Sequence, residues 1–509
     1  MASSLGTVFE WYDFFVYGAL AALLGDLFFP SDNPTAALLK SLATFGAGFG
    51  IRPLGAILFG RLGDKVGRKY TFLITITLMG LATAAIGLLP TYRAAGVWAP
   101  VLLVSCRLLQ GLALGGEYGG AAIYVAEHAP PDRRGFHTSF IQFSVVGGFL
   151  LSLGVVLAAM AAMSKAEWRD WGWRLPFLLS LAMLAVSLWI RLKLNESPVF
   201  KAMKAAGGCA HSPLRESFAT RANVKTMFVA MIGVAAGLTV IFYTAQFYSY
   251  AFLETAMRLD GREAKALAGI AAVLGAPAFL LAGWMSDRVG RKPVMVVGYA
   301  LVLVALFPTY RLIAARANPA WTRAVAAAPV VVHGGKGCKY DVFASGKQAT
   351  PCARVLDMLA RRGVSYVKAD GPLAVEIAGV RIAGETPAAV SAALVRAGYP
   401  DHADPASIDR PAIVGAILLL VILSGMTYGP VAAILVELFP ARIRYTSLSI
   451  PYHIGTGWFG GFLPFVTQYI VAKTGDAFAG LWYTFGVVVA ALLVTILWLP
   501  ETRGRDVTR

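Results

Sequence analysis

Residues 60–69 read GRLGDKVGRK, and residues 283–292 read GWMSDRVGRK. The two stretches share a glycine, an aspartate four positions on, a basic residue and the closing Val-Gly-Arg-Lys. Each lies between two long apolar segments. Each is therefore expected to be a tight basic hairpin joining two membrane helices. Glycine permits the reversal, and Asp64 and Asp287 can pair with Arg68 and Arg291 or with a nearby helix end. Short loops this rich in Arg and Lys stay on the cytoplasmic face. One such turn means little, but two, one per half, mark a duplicated membrane protein.

The neighbouring words carry a resemblance. FEWYDFFVYG (9–18), RPLGAILFGRLGDKVGRK (52–69), RLLQGLALGGEYGGA (107–121), ESPVF (196–200), ELFPARIRYTS (437–447) and LPETRGRD (499–506) resemble the major facilitator superfamily, in particular its metabolite:proton symporter branch. The likeness covers roughly residues 5–313 and 411–506. It implies an all-α membrane fold of twelve helices in two six-helix halves, with a substrate site between the halves.

The totals agree. Of 509 residues 57% are hydrophobic and only 14% charged, and mean hydropathy is +0.65; soluble domains carry about 25% charged residues. The formal charge of +17 is concentrated in the expected inner loops and the tail, so it orients the protein and faces anionic lipid rather than nucleic acid. Hydropathy places spans near 5–29, 36–59, 70–90, 97–126, 136–162, 173–194, 223–253, 264–286, 293–314, 411–436, 446–472 and 478–499. The first opens on Glu10-Trp-Tyr-Asp13 without a basic lead, so no cleavable signal peptide is expected, and the usual short cytoplasmic lead is nearly absent. An even number of spans with the first basic hairpin inside puts both termini in the cytoplasm. The division is 1–194 (first half), 195–222 (cytoplasmic linker), 223–314 (helices seven to nine), 315–410 (insertion) and 411–509 (helices ten to twelve and tail).

The repeat measures that insertion. The offset between matching residues is 223 at Asp64/Asp287, but 310 at Glu127/Glu437 and 305 at Glu196/Glu501. Residues 315–410 are rich in Gly, Pro and Asp and lack a long apolar run. They read as a small extracytoplasmic α+β unit: strands at 328–333, 339–344 and 364–369, a hairpin at 373–383, and helices at 350–362 and 386–397. Cys338 and Cys352 face an oxidising compartment in that topology; a disulfide is expected, with two free thiols as the alternative. Cys106 and Cys209 read as incidental.

Ionisable groups at membrane depth are expensive and therefore candidates for function. Asp13 and Arg107 match the proton-coupling Asp–Arg pair that the resemblance implies from proton-driven sugar symporters. Desolvation and the guanidinium compete for one carboxylate, so moving Arg107 away lets Asp13 take a proton; the competing reading is a static lock between helices 1 and 4. Glu10, three residues before Asp13, is a candidate relay. Glu117, in GGEYGG, either carries a proton or anchors a backbone. Arg52, about 12 Å inward from Gly60 at 1.5 Å per residue, suits a carboxylate substrate, or else partners an acid. Tyr243, Gln246 and Tyr250 fall on one helical face. With Tyr12, Gln142, Tyr428 and His453 they complete the expected cavity lining; Tyr452 and Gln468 are further polar groups at that depth. The clusters Asp64, Arg68, Asp287, Arg291 and Glu127, Arg134, Glu437, Arg444 resemble the family's cytoplasmic latch.

No Walker sequence, HExxH or CxxC is present, so no ATP drive, metal or cofactor is expected. The reading is a monomeric, proton-coupled symporter of a small polar metabolite in a bacterial inner membrane, not an enzyme. Arg52 and Arg107 tilt the substrate towards an organic acid. A betaine- or proline-type solute symporter, an exporter or antiporter of the same fold, and a transporter-derived sensor are the alternatives.

Overall fold

The computed structural model describes residues 2–507 except 32, 67, 193–212, 336–337, 339, 345, 347 and 383–385. The side chains of 2–5, 61, 63–66, 68, 69, 72, 190, 191 and 213 are also outside the description. Eight helices among the described residues are long and apolar enough to cross a membrane: Pro34–Gly60, Trp98–His128, Pro131–Ala162, Arg221–Thr255, Gly261–Val289, Arg291–Ala317, Arg410–Leu438 and Leu481–Trp498. Two bent pairs raise the number to ten: Gly6–Ala19 with Ala21–Phe28, at 62°, and Lys165–Gly172 with Arg174–Trp189, at 41°.

The other two segments expected to span are also helical. The first is the Arg68–Leu88 helix, within which Leu73–Leu88 forms a shorter apolar helix. The last is split into Arg444–Ile454, a π-helical Gly455–Gly461 and Leu463–Thr474. Its hydropathy is diluted by Ser447, Ser449, His453, Thr456 and Thr467, all of which are buried inside the bundle. Helix ends follow local chemistry. Asn33 caps Pro34–Gly50 by accepting from the N–H groups of Thr35 (3.0 Å) and Ala36 (3.4 Å), and Gly475 closes Leu463–Thr474 in the left-handed region.

Close backbone contact locks the helices that carry the arginines. A Cβ on Gly111 would strike the Gly48 carbonyl, and one on Gly115 the Arg52 carbonyl, so the Trp98–Gly115 helix lies directly on both Pro34–Gly50 and Arg52–Val66. Gly119 approaches Ser449 of the second half in the same way.

Residues 330–396 form a separate sheet-and-helix unit. Its strands β1 (Val330–His333), β2 (Tyr366–Ala369), β3 (Ala374–Ile377) and β4 (Val380–Arg381) lie in the order β2-β1-β3-β4. The β1–β2 pair is parallel and the others antiparallel. The two-residue turn Ala378-Gly379 has both φ values positive, +54° and +75°, as a tight hairpin requires. Helices Pro351–Arg361 and Pro387–Arg396 cover the sheet, the first burying Val355, Leu356 and Leu359. The strand expected at 339–344 is not formed. Asp341 instead accepts from the Phe343 N–H at 2.9 Å, and Gln348 bonds to both the N–H and the carbonyl of Asp341. This side-chain-to-backbone pattern favours a turn over a ladder.

The unit sits on one end of the bundle. The Tyr366 N–H donates to the Gly475 carbonyl at 3.1 Å, the Trp321 indole to the Gly363 carbonyl at 3.0 Å, and the Phe343 ring stacks on Phe465 and Tyr469. A cavity of about 410 Å³ lies between it and both halves, walled by Asp26, Leu38, Glu254, Arg361, Gly363 and Gln468.

Candidate functional site

At mid-bundle sits Arg52, wholly buried, with no hydrogen-bond partner on any of its three nitrogens. It opens the Arg52–Val66 helix, and Pro53 behind it ends regular pairing with the preceding turn. Its guanidinium lies 5.1 Å from the centre of the Phe49 ring and 5.6 Å from that of Trp11. Within its electrostatic reach are Glu117 and Tyr118 from the first half and Tyr243, Tyr428, Tyr452 and His453 from the second.

Several of these neighbours are also unsatisfied: the Tyr243 hydroxyl, Gln142 Oε1 and Gln246 Nε2; Glu117 has Thr75 beside it and His453 the Gly115 backbone. Buried polar groups are normally hydrogen-bonded. A cluster that leaves this many bonding positions open around one arginine is built to receive something else. Tyrosines tie the cage across the halves. Gln142 donates to the Tyr118 hydroxyl at 2.8 Å, Tyr118 stacks on Tyr452 at 3.7 Å, and the Tyr452 and Tyr428 hydroxyls are 3.2 Å apart.

The expected ion pair between Asp13 and Arg107 is absent. Arg107 donates to Gln110 at 2.7 Å and to the Phe45 carbonyl at 3.4 Å, and its guanidinium covers the Phe14 ring at 4.0 Å and the Tyr17 ring at 4.6 Å. Aromatic faces and an amide thus satisfy this cation where a carboxylate was expected. Asp13 is buried, its Oδ1 has no partner, and its charged neighbour is Glu117. Glu10, one turn earlier, is also buried.

Two other expectations shift. Tyr12 points out of the cage, donating to the Pro176 carbonyl. Tyr250 donates to the Gly18 carbonyl at 3.1 Å, above the cage and at the edge of a smaller cavity of about 70 Å³. The reason is a π-helical turn at Thr244–Tyr248, which breaks the 3.6-residue phase between Tyr243 and Tyr250; such turns concentrate at functional sites. Tyr118, Tyr452, Trp11 and Phe49 complete the cage but were not assigned there. The first two follow or flank residues that were singled out, Glu117 and His453, which is the signal available. Phe15, Phe45, Tyr243 and Phe247 pack as a plug between the cage and the smaller cavity. Ala22, Leu38, Glu254, Thr255 and Gln468 line both cavities, which therefore adjoin.

At the opposite end a charge network joins the halves. Asp287 accepts from the backbone N–H groups of Gly135 and Phe136, both at 2.7 Å, capping the Arg134–Ala162 helix. It pairs with Arg291 at 2.6 Å, Arg291 pairs with Glu437 at 3.2 Å, and Glu437 pairs with Arg134 at 3.1 Å. The Thr502 hydroxyl donates to Glu437 at 2.7 Å. Arg444 lies 3.6 Å from Glu127. In the tail Glu501 accepts from the N–H groups of Arg291, Lys292, Thr502 and Arg503. Partial burial works against its charge, yet these four donors hold its carboxyl below the usual glutamate range. The side chains of Asp64 and Arg68 lie outside the described residues.

A helical bundle that buries an open arginine between two halves, shut at one end by ion pairs, is the form of a membrane carrier. The family profile described as "Sugar (and other) transporter" matches residues 1–231 and 383–509, and the chain belongs to that family, one of transporters rather than enzymes. It is 37% identical over 320 residues to a proline/betaine transporter of Escherichia coli K12, covering 61% of this chain and 64% of that protein. The chain thus matches somewhat under two thirds of that relative's length. The inner membrane metabolite transport protein YhjE of the same organism is 30% identical over 512 residues, covering 99% of this chain and 94% of its own. Among solved structures, the proton:xylose symporter XylE of E. coli superposes with a TM-score of 0.65 at 18% identity, covering 100% of this chain and 96% of that one; that likeness concerns the fold.

Proposed function

We propose that the chain is a proton-coupled symporter that carries a small carboxylate-bearing metabolite by alternating access, with the cage around Arg52 as its binding site. The observation that carries this reading is the set of unpartnered, buried donors contributed by both halves. A guanidinium without a counter-ion in a water-poor site is costly, and a bidentate carboxylate is the ligand that best repays it. Glu117 is within electrostatic reach of Arg52 and Asp13 lies beside Glu117, which favours them as the proton-carrying groups. Arg107 is held by Gln110 and the aromatic rings in this state. The relatives named for metabolite or proline/betaine transport, and the proton:xylose symporter that shares the fold, support symport.

This reading uses twelve spans: the ten above plus Arg68–Leu88 and Arg444–Thr474. Both termini and the charge network then face the cytoplasm of a bacterial inner membrane, and residues 315–410 form an outer insertion between spans nine and ten. The protein works as a monomer. The charge network is the cytoplasmic latch, closed here.

A second substrate reading rests on the rings. Tyr118, Tyr243, Tyr428, Tyr452, Trp11 and Phe49 surround the guanidinium, and aromatic faces also recognise quaternary ammonium groups. A betaine carries both a carboxylate for Arg52 and a cation for the rings. Counterflow of labelled substrate in proteoliposomes, run over di- and tricarboxylates, aromatic acids, proline and glycine betaine, tests both readings. Arg52→Lys should reduce counterflow of any carboxylate substrate at least tenfold, because a point charge cannot make the bidentate contact. Undiminished counterflow in Arg52→Lys would remove Arg52 from binding. Absence of counterflow with every solute would favour a sensor.

A further inference from the structure

The transport reading leaves one chemical group unused, the Cys338–Cys352 disulfide, whose Cα atoms are 5.3 Å apart. Its position follows from the topology of the 330–396 unit. Strands β1 and β2 are adjacent and parallel, and the chain crosses between them through the Pro351–Arg361 helix. Such a crossover brings the carboxyl ends of the strands and the amino end of the helix to one edge, where α/β units place their reactive groups. Cys352 is the second residue of that helix, after the Thr350 cap, whose side chain accepts from the Ala353 N–H at 3.1 Å. Cys338 belongs to the loop that leaves β1.

Gly334, the first residue past β1, is the floor under the bond. A Cβ there would lie 2.5 Å from the Cys338 Cβ, 2.8 Å from its Sγ and 3.0 Å from the Cys352 Sγ. Only bare backbone leaves room for both sulfurs at the strand end. The two cysteines also differ. Cys352 is buried, 6% exposed, while Cys338 is partly exposed. Cys338 is thus the partner a small thiol reaches more readily, and Cys352, as leaving group, sits where the first-turn N–H groups and the helix dipole favour a thiolate. Exchange is fast when the attacked sulfur is accessible and the leaving thiolate is stabilised.

We propose that Cys338–Cys352 is a thiol–disulfide exchange centre that reacts with low-molecular-weight thiols. A thiolate attacks Cys338 Sγ, the bond between the two cysteines breaks, and the electron pair leaves on Cys352 Sγ. A second thiol then attacks the mixed disulfide at the small molecule's sulfur and releases Cys338 as the thiol. In sum, two small thiols are oxidised to one disulfide and the protein disulfide is reduced to two thiols. The far end of the same helix, at Arg361, walls the 410 Å³ cavity, so the redox state is set on an element that borders the space between this unit and the bundle. None of this chemistry depends on transport or on which way the bundle faces. Its failure and that of the carrier reading are separately visible.

The test uses the purified full-length protein, without denaturant, in millimolar reduced glutathione, with acid quench and peptide mass mapping. Most of the population should open within minutes. The trapped intermediate should carry glutathione on Cys338 with Cys352 as the free thiol, and oxidised glutathione should restore the bond. In Cys352→Ser, a glutathione adduct placed on Cys338 should persist at least tenfold longer than in the parent, because the internal resolving thiol is gone. A bond that resists until denaturant is added identifies a structural staple and overturns the proposal. Glutathione found on Cys352 with Cys338 free overturns it as well. The parent protein alone decides the matter if the variant does not fold.

Discussion

Replacing Glu437 by glutamine attacks the charge network at its centre. The carboxylate receives Arg134 and Arg291 at 3.1 and 3.2 Å and the Thr502 hydroxyl at 2.7 Å, and its side chain is 0% exposed. The two arginine side chains are 4% and 1% exposed. An exposed pair is worth about 0–1 kcal/mol, which is the scale expected of charge clusters at loop ends. Burial raises the stakes. Removing one charge strands the others in a dry site, at a cost of about 3–5 kcal/mol. Asp287 still holds Arg291, and the glutamine keeps an acceptor for Thr502, so about 3 kcal/mol is the appropriate figure. If the network is formed only when this end is shut, that cost falls on the shut state alone. The open fraction then rises about 100-fold, since each 1.4 kcal/mol is tenfold.

The assay is maleimide labelling of a cysteine at Ser449, which is buried between the halves against Gly119, with Cys106 and Cys209 replaced by alanine. Glu437→Gln should raise the labelling rate at least tenfold from the network side and lower the melting temperature. A lower melting temperature with unchanged labelling would mean the ion pairs hold the protein together without gating it. No change in either measure would refute the energetic reasoning itself.

Other substitutions probe other parts. Asp13→Asn should abolish uphill accumulation driven by a proton gradient while leaving substrate exchange within about threefold of the parent; accumulation that persists would exclude Asp13 from coupling. Gly111→Val should cost several kcal/mol, read as lost yield or a lower melting temperature, because its side chain would meet the Gly48 carbonyl, backbone that cannot swing aside. Glu501 has a depressed folded-state pKa, so its hold on the Arg291 and Lys292 N–H groups contributes stability at pH values above the ordinary glutamate range near about 4.3. That contribution is lost as pH falls through the lower folded value. Glu501→Gln should therefore lower the melting temperature at pH 7, and the difference from the parent should shrink as the pH falls below the ordinary glutamate range.

The fold was legible because the features that decide it are one-dimensional. Twenty-residue apolar runs and a repeated basic turn state how often and in which sense a chain crosses a bilayer, and Asp287 and Arg291 stand where the repeat placed them. The charge network around Asp287, Arg291 and Glu437 was legible as residues but not as energies, since nothing in a sequence separates a surface ion pair from one at 0% exposure. The strand at 339–344 was lost to Asp341 and Gln348, whose bonds to the backbone outcompete a weak β preference. Tyr250 was misplaced because the helical phase was assumed unbroken, and a π turn carries no residue signature in TAQFY. Periodicity stops being a guide where the helix stops being periodic.

The two buried arginines show what the sequence could not weigh. Arg52 and Arg107 have the same charge, the same 0% exposure and similar motif context, and sequence reasoning gave the coupling role to the second. Their partners separate them. Arg107 faces Phe14, Tyr17 and Phe45 and bonds to Gln110 and the Phe45 carbonyl, which leaves only its Nε without a partner. Arg52 has rings beside it but no bond on any nitrogen, and open hydroxyl and amide groups around it. Free energy stored as an unsatisfied buried charge can be released only by something that arrives, which is the condition for a binding site. On the proposed reading, proton coupling attaches to Glu117, which lies within electrostatic reach of that guanidinium, and to Asp13 beside Glu117, because substrate entry changes their surroundings first.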